Sequence, residues 1–530
     1  MSTNAAAPLP TDRPRLLARL ADTPRCDVIV VGGGATGLGV ALDAALRGLS
    51  VVLLESHDFA KGTSSRATKL VHGGVRYLAQ GRLGLVRQAL RERAAVLRNA
   101  PHLAAPLPFV VPAYRYWEIP FYGAGLLLYD ALGGRHAPGA TRIMGPRATA
   151  GSLPGLRQLH LRGGVRYWDA QFDDARLALA LARSAAAEGA LLVNHCPVDG
   201  LIHEQGRVAG VRCHDAETGV PFRLGADCVI NAAGVWADRF RTMDAGVSGS
   251  VAQPMVAASR GVHVVVDRHF MPADHALLIP RTRDGRVLFA IPWLGKLILG
   301  TTDTPSADAP REPRAGADDV AFILEEAARY LRHAPTRADV KSVWAGLRPL
   351  LRPAGQAGRT SAISREHAVE VGPGGLVTVA GGKWTTYRAM AQDVLARCVQ
   401  AGMLADRAPC RTARHPLVGA RDQEGVQARL TQAPGTAAYG SEQRWLAALP
   451  GGDAMLAPGL SEAMVRFAAR YEYARTVEDM LARRSRLLFL DAGLAAAVAP
   501  AVARVLGEET GADTGLGDFL ALAALYAHVP

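Results

Sequence analysis

Residues 27–55, DVIVVGGGATGLGVALDAALRGLSVVLLE, constrain the fold more than any other stretch of the chain. Asp27 to Val31 is a short Val/Ile run of the kind buried in a parallel sheet, and it stops at Gly32-Gly33-Gly34. Gly32, Gly34 and Gly37 keep G-x-G-x-x-G spacing, which lets the backbone turn tightly, approach a pyrophosphate and pack the next helix onto the strand. The spacing predicts a helix to about Arg47-Gly48, then a second strand, Val51 to Leu54, ending in Glu55, whose carboxylate can accept hydrogen bonds from a ribose. Strand, glycines, helix, strand and terminal acid in that order point to a dinucleotide site, with amides of the first helical turn facing an anion.

At 530 residues the chain exceeds a single core, so about two or three domains are expected. A 49% apolar composition excludes a disordered protein. Residues 1–24 are Ala/Pro/Arg-rich without a signal-peptide core, and no apolar run is long enough to span a bilayer. The six cysteines lack C-x-x-C or His/Cys ligand spacing, which fits reduced thiols in a cytoplasmic protein and neither a disulfide framework nor a metal site. The net charge of +12 asks for an acidic partner or a compositional origin, since Arg far outnumbers Lys in a chain also rich in Ala and Gly. Basic patches interleaved with aromatics are missing, which argues against nucleic acid, and leaves an anionic membrane surface or a phosphorylated substrate.

The order of elements predicts α/β plus α+β architecture: a Rossmann-like nucleotide-binding domain, a grafted antiparallel-sheet substrate domain and a C-terminal helical domain. The boundaries read as a flexible leader at 1–25, with room for a short helical turn at Arg15 to Leu20, nucleotide-binding parts at 26–102, 151–252 and 346–402, a less regular insertion at 103–150, an antiparallel domain at 253–345 and helices at 403–530. Within 103–150, Leu126 to Tyr129 is apolar enough to be buried or to sit in a lipid interface, with burial the favoured reading. Trp236 is expected in the core. Arg475, Arg483, Arg484 and Arg486 are expected on a solvated cationic helix face, with contact to a membrane surface as the alternative.

Val31 to Gly48, with its three glycines, Asp43 and Arg47-Gly48, and Gly381 to Ala391, GGKWTTYRAMA, resemble FAD-dependent, respiratory glycerol-3-phosphate dehydrogenases. Leu38 departs from the small residue usual there. The segments KLVHGGVRYL, GVRCHDAETG, INAAGVWAD, FAIPWLGKLILGTTDT and GLRPL extend the resemblance over roughly residues 26–500. It implies oxidation of sn-glycerol 3-phosphate to dihydroxyacetone phosphate by hydride transfer from C2 to N5 of FAD, with electrons delivered to a membrane quinone. It further implies peripheral attachment to the inner face of the cell membrane and allows a homodimer.

The resemblance also implies site residues. FAD would be held by Gly32, Gly34, Gly37 and Glu55, by Thr63, Ser64, Lys69, Leu70, His72, Gly73 and Gly74, by Val198, Ala233 and Gly234, and by Gly346, Gly382, Lys383, Trp384 and Thr385. Arg76, Tyr77 and Arg365 would bind substrate, guanidinium groups gripping phosphate in a forked arrangement. His263, Arg348 and Lys383 would be catalytic, with histidine the natural base because its ordinary pKa of about 6.5 lies near working pH. An oxidase using oxygen, an amine or amino-acid oxidase, and a non-catalytic flavin or nucleotide sensor remain alternatives.

Overall fold

The computed structural model describes residues 7–78, 81–247, 251–352, 366–420 and 428–530. Its first sheet follows the path His367–Val371, Val377–Gly381, Pro221–Asn231, Arg25–Val31, Val51–Leu54, Leu191–Val193. Every neighbour pair is parallel except the antiparallel edge strand His367–Val371. Arg25–Val31 sits inside this sheet because Val28 to Val31 are apolar toward both faces. The Ala35–Leu46 helix covers it and packs against the Asp174–Ala187 and Tyr387–Gln400 helices.

The second sheet runs Thr304–Pro305, Val256–Asp267, Lys296–Gly300, Leu288–Trp293, Ala276–Ile279, Ala104–Ala113, Gly163–Phe172, Leu70–Val71, with Val340–Leu351 also paired to Val256–Asp267. Alternation along Val256–Asp267 sorts its two faces. Val262, Val264 and Val266 enter a core beneath the Ala317–Tyr330 helix, whereas Val265 joins Trp344 in a core shared with the C-terminal helices.

Sheet membership crosses the expected boundaries. Gly163–Phe172, assigned from sequence to the nucleotide-binding part, pairs along its whole length with Ala104–Ala113, and Leu70–Val71 pairs beside it. Val340–Leu351 runs through the expected break at 345/346. The insertion at 103–150, expected to be irregular, contains a ten-residue strand and the Glu118–Gly133 helix. Its prolines obscured the strand. Pro106, Pro108 and Pro112 share one parity, so their missing N–H groups fall on the edge that Ala276–Ile279 meets only at Phe109 and Val110.

Three further expectations change. Residues 13–21, within the expected flexible leader, are helical: Arg13 is 4% exposed and donates to Asp215 and to the Asn194 carbonyl (2.6 Å). Leu126 to Tyr129 splits by helical period, with Leu126 and Tyr129 buried and Leu127 and Leu128 exposed. Arg483, Arg484 and Arg486 are buried in ion pairs instead of lining a solvated face. A helical charge pattern reads the same in either setting, and buried acids hundreds of residues away decide between them.

Candidate active site

The first glycine turn is built by close approach. Gly32 has φ +111° and a Cβ there would lie 2.7 Å from the Ala232 carbonyl oxygen; one on Gly37 would lie 1.9 Å from the Gly32 oxygen. Gly34 is the N-cap of the Ala35–Leu46 helix, whose first turn carries no acid. Ser64 Oγ accepts from the Ala35 amide (2.9 Å), which leaves its own O–H to donate outward. Glu55 takes the Gly33 amide (2.6 Å) and the His57 amide (3.0 Å). Ala233 and Gly234, the latter at φ +61°, close the end of the Pro221–Asn231 strand against this turn. Val198 is buried opposite Cys213.

The loop after Glu55 faces two ways. Thr63 donates to the Leu347 carbonyl (2.5 Å), and the Trp384 indole donates to the Ser64 carbonyl (2.8 Å), so the loop is tied to the Val340–Leu351 strand and to the turn after Gly381-Gly382. The Lys69 amine is engaged within the protein. The residue is fully buried at φ +63°, bonded to Asp174 and to the Ser65 carbonyl (both 2.7 Å), and boxed by Trp293, Trp344 and Phe489. Burial, opposed by Asp174, lowers its pKa to about 7. Its aromatic cage is assembled from two distant strands and a C-terminal helix, so sequence spacing gave no sign of it.

The second glycine turn lies at Gly381-Gly382, with φ of +81° and +76°. Trp384–Thr386 makes a turn of 3-10 helix leading into Tyr387–Gln400. Thr385 accepts from the His72 amide (3.2 Å), which brings this turn to the Gly73-Gly74 loop just beyond Leu70. Gly73 donates to buried Asp169, itself held by Arg93 (2.8 Å) and Tyr129 (2.9 Å). Lys383 Nζ lies 4.0 Å over the Tyr77 ring. Arg76 is placed as a backbone position in the Val75–Leu78 helix, and Arg365 lies outside the described residues.

Strand register assembles the other cluster. Across Val256–Asp267 and Val340–Leu351, His263 faces Trp344, Gly261 faces Gly346 and Ser259 faces Arg348, and period two puts all six positions on one face. The central glycines leave a gap. The Arg348 guanidinium fills it from one side, where a Cβ on Gly261 would lie 2.4 Å from Nη2, and Arg66 from the other, 2.9 Å from a Cβ on Gly346. Gly346 thus admits the 63–68 loop. Arg348 donates to Thr301 Oγ1, to the Thr302 carbonyl (both 3.2 Å) and to Asp303 (3.3 Å).

His263 is 2% exposed, stacked on Trp344 with centroids 4.1 Å apart, and bonded through Nε2 to Thr68 (3.1 Å), while Nδ1 has no partner among the described residues. Burial first, then the cations Lys69 and Arg348, hold its pKa well below 6.5, so the ring is neutral at pH 7. Residues 68–77 link the clusters, with Thr68 on His263 and Tyr77 on Lys383. Sequence reading missed Thr68, Trp344 and Thr301 to Asp303. The polar run GTTDT straight after a strand was the available signal.

A doubly wound nucleotide half joined to a largely antiparallel sheet that carries His263 and Arg348 is the fold of a flavoprotein oxidoreductase. A model described as FAD dependent oxidoreductase matches residues 27–388, and one described as C-terminal domain of alpha-glycerophosphate oxidase matches 410–515. The mitochondrial glycerol-3-phosphate dehydrogenase of Rattus norvegicus is 39% identical over 94% of this chain and 72% of its own length; that of Schizosaccharomyces pombe is 36% identical over 98% and 90%. The structure of glycerol-3-phosphate dehydrogenase from Bacillus halodurans, complexed with FAD, aligns with a TM-score of 0.76 at 30% identity over 98% of both chains. The chain belongs to the FAD-dependent glycerol-3-phosphate dehydrogenase family.

The residues present fit FAD. Added methyl groups at Gly32 and Gly37 would collide with backbone, the first turn of the Ala35–Leu46 helix has no acid to repel a pyrophosphate, and a second glycine turn converges on the same loop. Among the described residues, no helix is long and apolar enough to cross a membrane.

Proposed function

We propose that the protein oxidises sn-glycerol 3-phosphate to dihydroxyacetone phosphate and passes the electrons to a membrane quinone. FAD, when bound, supplies the hydride acceptor at N5. The Gly32, Gly34 and Gly37 turn, Glu55, Ser64, Ala233-Gly234, Gly73-Gly74 and the Gly382–Thr385 turn are the residues that would hold it. The observation that carries the reading is the collection of cations on the roof and rim: Arg348 beside His263, and Lys383 beside Tyr77. A carboxylate substrate requires one cation, whereas a phosphate dianion calls for several, to which Arg76 and Arg365 would contribute.

In this scheme Arg348 orients the C2 hydroxyl and His263 accepts its proton through a ring lone pair, the buried Nδ1 having no partner among the described residues. A dianion in the site offsets Lys69 and Arg348 and makes that ring more basic when it is needed. The test is anaerobic bleaching of the bound flavin by glycerol 3-phosphate and not by glycerol or amino acids. Bleaching by an amino acid instead would discard the substrate assignment, and peroxide formation without added quinone would move the acceptor to oxygen.

The pH dependence follows from the depressed His263 pKa. Protonation removes the acceptor lone pair, so bleaching slows as pH falls, and the acid limb should lie below pH 6.5, the ordinary histidine value. Taking away a neighbouring cation makes protonation easier, so Lys69→Met should shift the limb to higher pH. An unmoved limb in a folded variant would separate Lys69 from the behaviour of the histidine.

Membrane contact is supported by the Glu118–Gly133 helix. Trp117 (54%), Phe121 (65%), Leu127 (52%) and Leu128 (47%) are exposed along one side, near exposed Arg115, Arg135 and Arg142. An apolar helix face rimmed by cations suits an anionic bilayer surface. Vesicles containing anionic lipid should sediment the protein at low salt and release it at high salt, and a Phe121→Ser, Leu128→Ser double variant should stay in the supernatant. Equal sedimentation of variant and parent would exclude this face.

A further inference from the structure

The buried arginines near the C-terminus converge on the loop that presents Ser64. Arg484 donates to Asp58 through both terminal nitrogens, one at 2.9 Å, and Arg483 donates to the same carboxylate, with Asn194 adding a bond of 3.2 Å. Glu478 holds Lys61 (2.6 Å) and Arg483 (2.7 Å). Arg486 donates to the Ser65 carbonyl (2.7 Å) and to Asp174 (3.0 Å), the two groups that also hold Lys69. Asp58 and Asp174 are 0% exposed, and Arg483, Arg484 and Arg486 are 3% or less.

Two more features mark this junction. Arg486 and Lys69 both adopt left-handed backbone, at φ +66° and +63°, and their side chains meet on one carbonyl. Such conformations persist in non-glycine residues where the surroundings over-determine them. The arginine-bearing turn, Asp479–Arg484, is π-helical, which aims Arg483 and Arg484 together at Asp58. Buried charges of this kind are stable only when each keeps its partners, so the turn and the 57–69 loop order as one unit.

We infer that Arg484 and Arg486 are positioning residues for the cofactor: docking of the C-terminal turn sets the Ser64-Ser65 backbone and thereby how tightly FAD is retained. Ser64 lies between two fixed points, its hydroxyl on the Ala35 amide and the next carbonyl under Arg486. Releasing the second frees the first. This rests on the reading that FAD lies against Ser64.

The experiment measures the rate at which diluted holoprotein releases FAD, by the rise in flavin fluorescence, and the difference between holo and apo melting temperatures. Arg486→Gln should release FAD about tenfold faster or more and shrink the melting difference. Arg475→Gln, on the same segment but paired with half-exposed Glu217, should match the parent. If Arg486→Gln fails to fold, Arg486→Lys, which keeps the charge with a different reach, should show the same direction. Parental release from a folded Arg486 variant overturns the inference. Ser64→Ala separates the premises: parental release there removes FAD from Ser64 and the inference with it, whereas faster release with an inert Arg486 variant removes the inference alone.

Discussion

Arg348→Ala is expected to reduce turnover with glycerol 3-phosphate on the order of a thousand-fold while the protein stays folded and yellow. The guanidinium lies across Gly261 with its donors on Thr301, Thr302 and Asp303, and is about a quarter exposed, so its ends reach the space beside His263. Truncation leaves the sheet register untouched, because Ser259 and Arg348 are paired through backbone. Asp303 keeps Ser259 as a donor. The hydrogen bonds that Arg348 makes to Thr301, Thr302 and Asp303 are long, at 3.2–3.3 Å, and the stability cost of losing them is about 1–2 kcal/mol. A substrate oxygen held by a guanidinium has no replacement in the variant. Steady-state assays with an artificial acceptor, together with the visible flavin spectrum, check both halves. Activity within about tenfold of the parent would take Arg348 out of the mechanism.

The parts legible in the sequence are those whose geometry is local. The Asp27–Glu55 turn, its partner at Gly381-Gly382 and the antiparallel strands carry their signals within about ten residues, and the structure has them in the expected sheets. His263 and Arg348 meet because two alternating strands fix which face each residue takes. Lys69 shows the limit. Its neighbours in sequence are expected to line the cofactor, yet its amine is claimed by Asp174 and three rings from other elements. The arginines at 483–486 show it again: an amphipathic-looking cationic run is solvated unless Asp58 and Asp174 wait inside, and only the folded chain reveals that. Prolines hid the Ala104–Ala113 strand because local propensity counts them against any strand, whereas shared parity makes them harmless.

Gly37→Ala should yield a colourless, weakly folded protein. The Cβ position is fixed by the helix backbone, so no rotamer relieves its 1.9 Å approach to the Gly32 carbonyl; the Ala35–Leu46 helix must lift away from the Arg25–Val31 strand. Lifting it separates Val30, whose side chain lies within 3.3 Å of the same point, and breaks the core on both sides of the turn. The cost is about 3 kcal/mol or more, as in severe overpacking of a rigid contact. It also moves the first-turn amides off the pyrophosphate they would hold. Gly34→Ala is the discriminating comparison, because the nearest atom to its Cβ is the Ser64 hydroxyl at 3.2 Å, which can rotate aside. That variant should melt close to the parent and lose FAD only in part. Melting curves and the flavin-to-protein absorbance ratio order the three proteins, and a yellow Gly37→Ala with parental melting would mean that the helix does not need to touch the turn for FAD to bind.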